Sequence, residues 1–319
     1  YEIASCLVGS EMCIRDSWRC LEDCVAAIGA SRFSVRGFGC ALFLLEGTKM
    51  KKLLATILAL VMALSLCSVA WATGEYTPLP DAVNDTITLT KDVTFSGDAT
   101  LNLTGKTVET KGYTITVASG TVSITGGKFV NETEGVTTKG SEDPHGILAV
   151  NSGATLNITN ASLETKAYQP LTVEGTCNSV GTTYKCTVAN DKYDSKVMIS
   201  VKGSAAYLNM PSGSVEMVAS ESASDGMYGI YASNGGKVTV GDAATGTGPS
   251  VHSQFAALGN NHDTSPSVWN IYGGEYVSAA KATANEWWKY FCGALYLPAT
   301  TDINIYGGTF KGGNYAVCM

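Results

Sequence analysis

The sequence predicts an all-β fold: a right-handed parallel β-helix with three strands per coil and about 30 residues per repeat. Three observations carry this expectation. Short runs that alternate apolar and polar residues (ITLT, ATLNLTG, TITVAS, TVSITGGKF) recur between glycines, and alternation at period two marks strands. An apolar-x-apolar motif followed by small residues returns at Val122, Leu156, Leu208, Val238, Trp269 and Ile303, at spacings of 34, 52, 30, 31 and 34. Each motif is preceded by a small-residue strand (HGILAV, YGIYAS, CGALYL, NYAVC) and followed by a short one (KFV, EYV, TFK).

The physics of such a repeat is simple. Inward Val, Ile and Leu stack on their equivalents one coil away, about 4.8 Å apart. Gly pairs permit the sharp corners. A sandwich or barrel is the rival fold, but its turns would not recur at matching points of a thirty-residue period. No helix-period stripe competes beyond the N-terminal segment, except residues 279–290. The long interval from Leu156 to Leu208 holds the stretch CNSVGTTYKC and more strand-like sequence, room enough for a further coil.

Taken in chain order, residues 1–49 are not expected to be a domain. Residues 7–17, LVGSEMCIRDS, show no periodicity. Reverse-translated, they resemble without a gap the transposon-end adapter used to build sequencing libraries. Residues 18–49 read as translated leader: Leu45-Glu46-Gly47 permits a purine-rich ribosome-binding core a short spacer before Met50.

Residues 50–72 have the three parts of a secretory signal. Lys51 and Lys52 form the positive start, LLATILALVMALSLCSVA the apolar stretch, and Ala70-Trp71-Ala72 the small-x-small site. Cleavage is expected between Ala72 and Thr73, giving a secreted or cell-surface protein. Cys67 does not make a lipobox, because Leu66 precedes it. The membrane is expected as a partner only through the uncleaved signal.

The chain from residue 73 holds 14 Lys, no Arg and 22 Asp and Glu, a formal charge of −8. Such a surface argues against nucleic acid, whose counterions must be replaced by cationic side chains, and against anionic lipid. Residues 73–120 are expected to form the N-terminal cap and first, more irregular coils. Residues 121–319 are the repeats. The sequence stops inside a strand at Cys318-Met319 with no polar cap, so further coils or a wall-attachment module are expected beyond it.

Patterns such as ITGGKF and IYGGTF over residues 85–319 resemble the β-helical domains of secreted proteins from Gram-positive gut bacteria, within the pectate-lyase-like superfold. The resemblance implies a fold and leaves the activity open. It also implies what an enzyme of that group would need. Lyases use a cationic residue, commonly Arg, beside calcium held by carboxylates; hydrolases use three close Asp with a Gly-His-Gly. Without Arg only Lys remains, with Lys128 and Lys311 after Gly-Gly turns, and His145 and His262 sit in PHGI and NNHDT instead. His262-Asp263 reads first as a solvated loop pair, and Asn190 to Asp194 as an Asx-rich turn. Neither a catalytic set nor a metal or other cofactor is expected.

Aromatics are the better functional signal. Glu286, Trp287, Trp288 and Tyr290 in NEWWKYF are candidate glycan contacts, because flat rings stack on the apolar faces of sugars and a carboxylate hydrogen-bonds hydroxyls. The structural alternative is a segment folded onto the outer wall with both Trp rings buried; a helical turn would place Trp287 and Phe291 on one side. Tyr272 and Tyr306 occupy matching YGG corners and are expected to stack as a ladder that also offers a binding strip. Asn157, Asn209, Asn270 and Asn304, with Asn102 in a similar place, recur between the two apolar positions. They are expected to form an outward hydrogen-bonded ladder, or a polar stripe for glycan hydroxyls.

Six of the ten cysteines precede residue 73. Of the rest, Cys177 and Cys186 are expected to close a hairpin by a disulfide. Cys292 and Cys318 align four residues out of step, about 13 Å along the strands, too far for a bridge. Three functions are compatible with these readings. The first is a non-catalytic surface β-helix for adhesion, glycan contact or use as a rigid stalk. The second is a polysaccharide lyase or glycoside hydrolase, and the third a phage tailspike-like fibre. A polysaccharide or a host or cell-wall glycan is the expected partner; the oligomeric state is open.

Overall fold

The computed structural model describes residues 79–133, 146–166, 169–187, 197–217, 228–260, 265–283, 292–298 and 302–318. These residues form a right-handed parallel β-helix with three strands per coil. Twenty-six strands, numbered β1 to β26 along the chain, belong to three sheets of nine, nine and eight strands. Sheet A begins at β1 (Thr86–Thr88) and ends at β25 (Thr309–Lys311); sheet B begins at β2 (Val93–Ser96) and ends at β26 (Tyr315–Cys318). Sheet C contains β3 (Ala99–Asn102), β6 (Thr121–Thr125), β9 (Thr155–Thr159), β12 (Thr176–Val180), β15 (Tyr207–Met210), β18 (Lys237–Val240), β21 (Val268–Ile271) and β24 (Asp302–Ile305). The chain visits A, B and C in turn, and each strand pairs in parallel with the equivalent strand one coil away. Among the described residues there is no helix.

The coils are less uniform than the motif suggests. Ala99, Val122, Leu156, Cys177, Leu208, Val238, Trp269 and Ile303 are successive register partners in sheet C. The long interval in the motif therefore holds two coils, a short one from Leu156 to Cys177 and a longer one from Cys177 to Leu208. Cys177 is the hidden apolar position between them. The five strands between residues 86 and 119 enter the same three sheets; one register shift, between Phe95 and Ser96, marks their irregularity.

Alternation decides what faces inward. Val108, Phe129, Leu163, Tyr184, Val215, Val251 and Tyr276 form one buried column beneath sheet A. Ile115, Leu148, Leu171, Ile199, Ile230, Leu258 and Leu295 form another beneath sheet B. Burying each such side chain stabilises the coil by roughly 1.5–3 kcal/mol before ordering entropy is counted. Larger rings use their polar ends: Tyr276 Oη donates to Gly273 O at 2.6 Å, and Tyr184 Oη hydrogen-bonds Ser179 Oγ at 2.9 Å.

Corner length separates the three edges. The connections from C to A include single-residue and two-residue turns at Gly181 and at Gly126-Gly127, all in left-handed conformation. Those from A to B differ far more in length, from positions 312–314 at the shortest to positions 132–147 at the longest. Every A-to-B connection joins strand ends along the same edge of the solenoid, so insertions there leave the wall undisturbed.

The expected disulfide is corrected. CNSVGTTYKC is not a hairpin: it is β12, the corner at Gly181 and β13 (Thr182–Cys186). The two strands diverge into different sheets and each pairs in parallel with its own neighbours, so nothing folds Cys186 back onto Cys177. Both are buried thiols. Burial pushes the Cys177 thiol up to about 12, the behaviour of a core residue. Cys292 and Cys318 are also thiols, and the register Gly293↔Tyr315 and Tyr296↔Cys318 sets them four positions apart.

Candidate functional site

The outer face of sheet C brings together the largest group of sequence-predicted site residues. Ser123, Asn157, Asn178, Asn209, Thr239, Asn270 and Asn304 occupy one outward column, one residue per coil. Asn157 Nδ2 donates to Ser123 Oγ at 3.3 Å, Asn178 Nδ2 to Asn157 Oδ1 at 2.9 Å, and Asn304 Nδ2 to Asn270 Oδ1 at 3.1 Å. Parallel in-register pairing repeats one side chain at each step of about 4.8 Å, the spacing at which an amide reaches its neighbour. Thr239 interrupts the amides, and Tyr207 Oη donates to its Oγ1 at 3.2 Å.

Two details depart from the sequence expectation. Asn102 is not in the column: it pairs with Thr125, and its Oδ1 accepts from Thr104 N at 3.1 Å as a turn cap. Asn178 is in the column although sequence reasoning passed over it. The signal was present as Cys177-Asn178-Ser179, with Cys and Ser standing where Leu and Ile stand in other coils.

Tyr272 and Tyr306 follow the last two strands of sheet C. Their rings stack with centroids 4.7 Å apart and planes 7° from parallel. The corner beneath demands glycine: Gly274 has φ +117°, and a Cβ would lie 2.5 Å from Pro249 O. Tyrosine rings thus project from a tight turn of fixed geometry, two residues along the strand from Asn270 and Asn304. Within its strands this face has only two charges, Lys237 and Asp302.

Titratable side chains gather instead on the outer face of sheet A. Glu275 lies 2.6 Å from Lys311 and 3.8 Å from His252. Lys311, and secondarily His252, hold the Glu275 carboxyl below its ordinary value. A carboxylate made less basic in an exposed pair is the reverse of what a general base near neutrality requires. Lys128, the other lysine after a Gly-Gly turn, pairs with Glu164 at 2.9 Å. Among the described residues, no group of three His, Cys, Asp or Glu side chains is arranged to hold a metal ion.

Several candidates lie outside the described residues: Glu286, Trp287, Trp288 and Tyr290, the pair His262-Asp263, His145, the Asx-rich turn at 190–194, and the cleavage site at Ala72 and Thr73. Compared with family models, with curated proteins and with solved structures, the chain matches none.

Proposed function

We propose that this chain is a secreted or surface-displayed β-helix that contacts neutral glycans through the outer face of sheet C, in adhesion or as a rigid stalk, without catalysing their cleavage. The observation that carries this reading is a face with only two charges in its strands, where an amide column runs into a stacked tyrosine pair at the YGG corners. Amides both donate and accept, as sugar hydroxyls do. Tyrosine faces carry negative quadrupole density that attracts the C–H faces of a pyranose ring. The export part of the proposal rests on the signal-like residues 50–72.

The test is binding of the protein to a panel of neutral and acidic polysaccharides, with soluble products assayed in parallel. Neutral polymers are expected to bind, and Tyr306→Ala to weaken them about tenfold, a difference of about 1.4 kcal/mol. Undiminished binding by Tyr306→Ala, or turnover of any bound polymer, would overturn the reading. Expression from Met50 is expected to give a mature chain that begins at Thr73.

A further inference from the structure

The shortest coil along sheet C leaves a notch at the edge where sheet B turns into sheet C. One coil uses residues 151–154 for this turn and another, two coils on, residues 203–206. The coil between them, which closes the short step from Leu156 to Cys177, uses Glu174 and Gly175 alone. The tight turn requires glycine. A Cβ on Gly175 would lie 2.3 Å from Asn151 O and 2.4 Å from Ala154 O. With two residues fewer than its neighbours, this turn leaves the ridge open, and the space is a cavity of about 330 Å³ lined by Ser152, Glu174, Lys202, Ser204, Ala205 and Asn234.

The lining has an unusual balance for so small a space. Glu174 and Lys202 carry opposite charges, yet among the described residues neither side chain has a hydrogen-bond or ion-pair partner. An anionic ligand meets Glu174 unfavourably, and a cationic one meets Lys202 the same way. A neutral molecule with adjacent hydroxyls suits both, because each hydroxyl donates to a carboxylate and accepts from an ammonium. Ser152, Ser204 and Asn234 add groups of the same dual kind. The volume is at the low end for ligand pockets, the scale of one ring rather than a chain. Asn178 lies three residues beyond Gly175, about 10 Å along the strand, so a chain leaving the notch meets the hydrogen-bonded part of the amide column.

We infer that this notch is a sugar-binding subsite that takes a single neutral pyranose ring and anchors a glycan laid across sheet C. The inference rests on the glycan reading above and adds to it a place, a ring count and a charge preference. The experiment is an amide NMR titration of the protein with glucose, galactose, mannose, xylose and N-acetylglucosamine, and with their linear oligomers. At least one monosaccharide is expected to cause saturable shifts at Ser152, Glu174, Gly175, Lys202 and Asn234. The double variant Glu174→Gln/Lys202→Met is expected to weaken that binding about tenfold, whereas Lys128→Met, on sheet A, leaves it unchanged. Both replaced side chains are exposed, and a spectrum otherwise matching the parent shows the fold intact. Oligomers that shift only Tyr272, Tyr306 and the amide column would sink the notch while leaving the glycan reading standing. Equal affinity of the double variant would also sink it. An absence of shifts with every sugar would remove both.

Discussion

The outer faces of sheets A and C use one backbone for two different surfaces. Both are parallel, both alternate, and both cover the same apolar interior. Sheet A places Glu109, Lys128, Glu164, Lys185, Glu216, His252, Glu275 and Lys311 on its strands, whereas sheet C places mostly amides and hydroxyls there, with Lys237 and Asp302 its two charges, and stacks Tyr272 on Tyr306 just after its last two strands. The difference teaches that in a solenoid the inward positions specify the fold and the outward positions are free to specify its use. Ion pairs on sheet A are exposed and link neighbouring coils only weakly. The amide column on sheet C is a regular, uncharged array that a hydroxyl-rich polymer can meet.

The comparison can be broken most forcefully from beneath. Trp269, fully buried under sheet C, and Tyr184, fully buried under sheet A, belong to one core. Replacing either by Ala is expected to cost about 3–5 kcal/mol, read as a shift in the denaturation midpoint. If one face lost almost nothing, the two sheets would not share a cooperative interior.

A buried thiol gives the next largest effect. Cys177→Ser buries a hydroxyl between the register partners Leu156 and Leu208 in the core, and a loss of roughly 1–3 kcal/mol is expected. Adding a reductant to the parent protein should leave the midpoint where it was, and alkylation of Cys177 should await unfolding. A reductant-sensitive midpoint would restore the disulfide expectation.

Smaller still is the contrast between outward columns. Asn178→Ala removes the hydrogen bond to Asn157 and is expected to cost about 1 kcal/mol. Lys185→Ala, on sheet A of the same coil, should stay within about 0.5 kcal/mol. Equal losses would mean that the amide column adds nothing beyond ordinary surface.

The smallest effect belongs to Glu275. Lys311 depresses its folded pKa, so the pair contributes stability above the ordinary carboxylate value of 4.5 and loses it as pH falls through the lower folded value. Titrating the thermal midpoint of the parent and of Glu275→Gln should show a slight gap near neutrality that closes on acidification and at high salt. A gap that widens in acid would reverse the sign of this argument.

Most of the fold was legible because its signals are local. Period-two alternation assigned inward and outward positions from neighbouring residues alone, and recurrence of the apolar-x-apolar motif exposed the stacking of Val122, Leu156, Leu208, Val238, Trp269 and Ile303. The further coil was expected from the length of the Leu156–Leu208 interval, but its strands could not be placed where the local signal failed. Cys177 and Ser179 hold inward positions without being conventional strand apolars, so CNSVGTTYKC looked like an insertion and its two cysteines like a bridge.

What the sequence determined by itself was therefore the period: strands, corners at glycine, and columns of like residues on a single wall. Only the tertiary structure decided which positions meet across coils. Register is fixed by backbone hydrogen bonds between segments a whole coil apart, Leu156 with Cys177 at one step and Trp269 with Ile303 at another. Connection lengths slide one coil against the next without altering the alternation within either. That is why Asn178 entered the amide column, why Asn102 left it, and why a turn two residues shorter than its neighbours opened a notch that no motif announces.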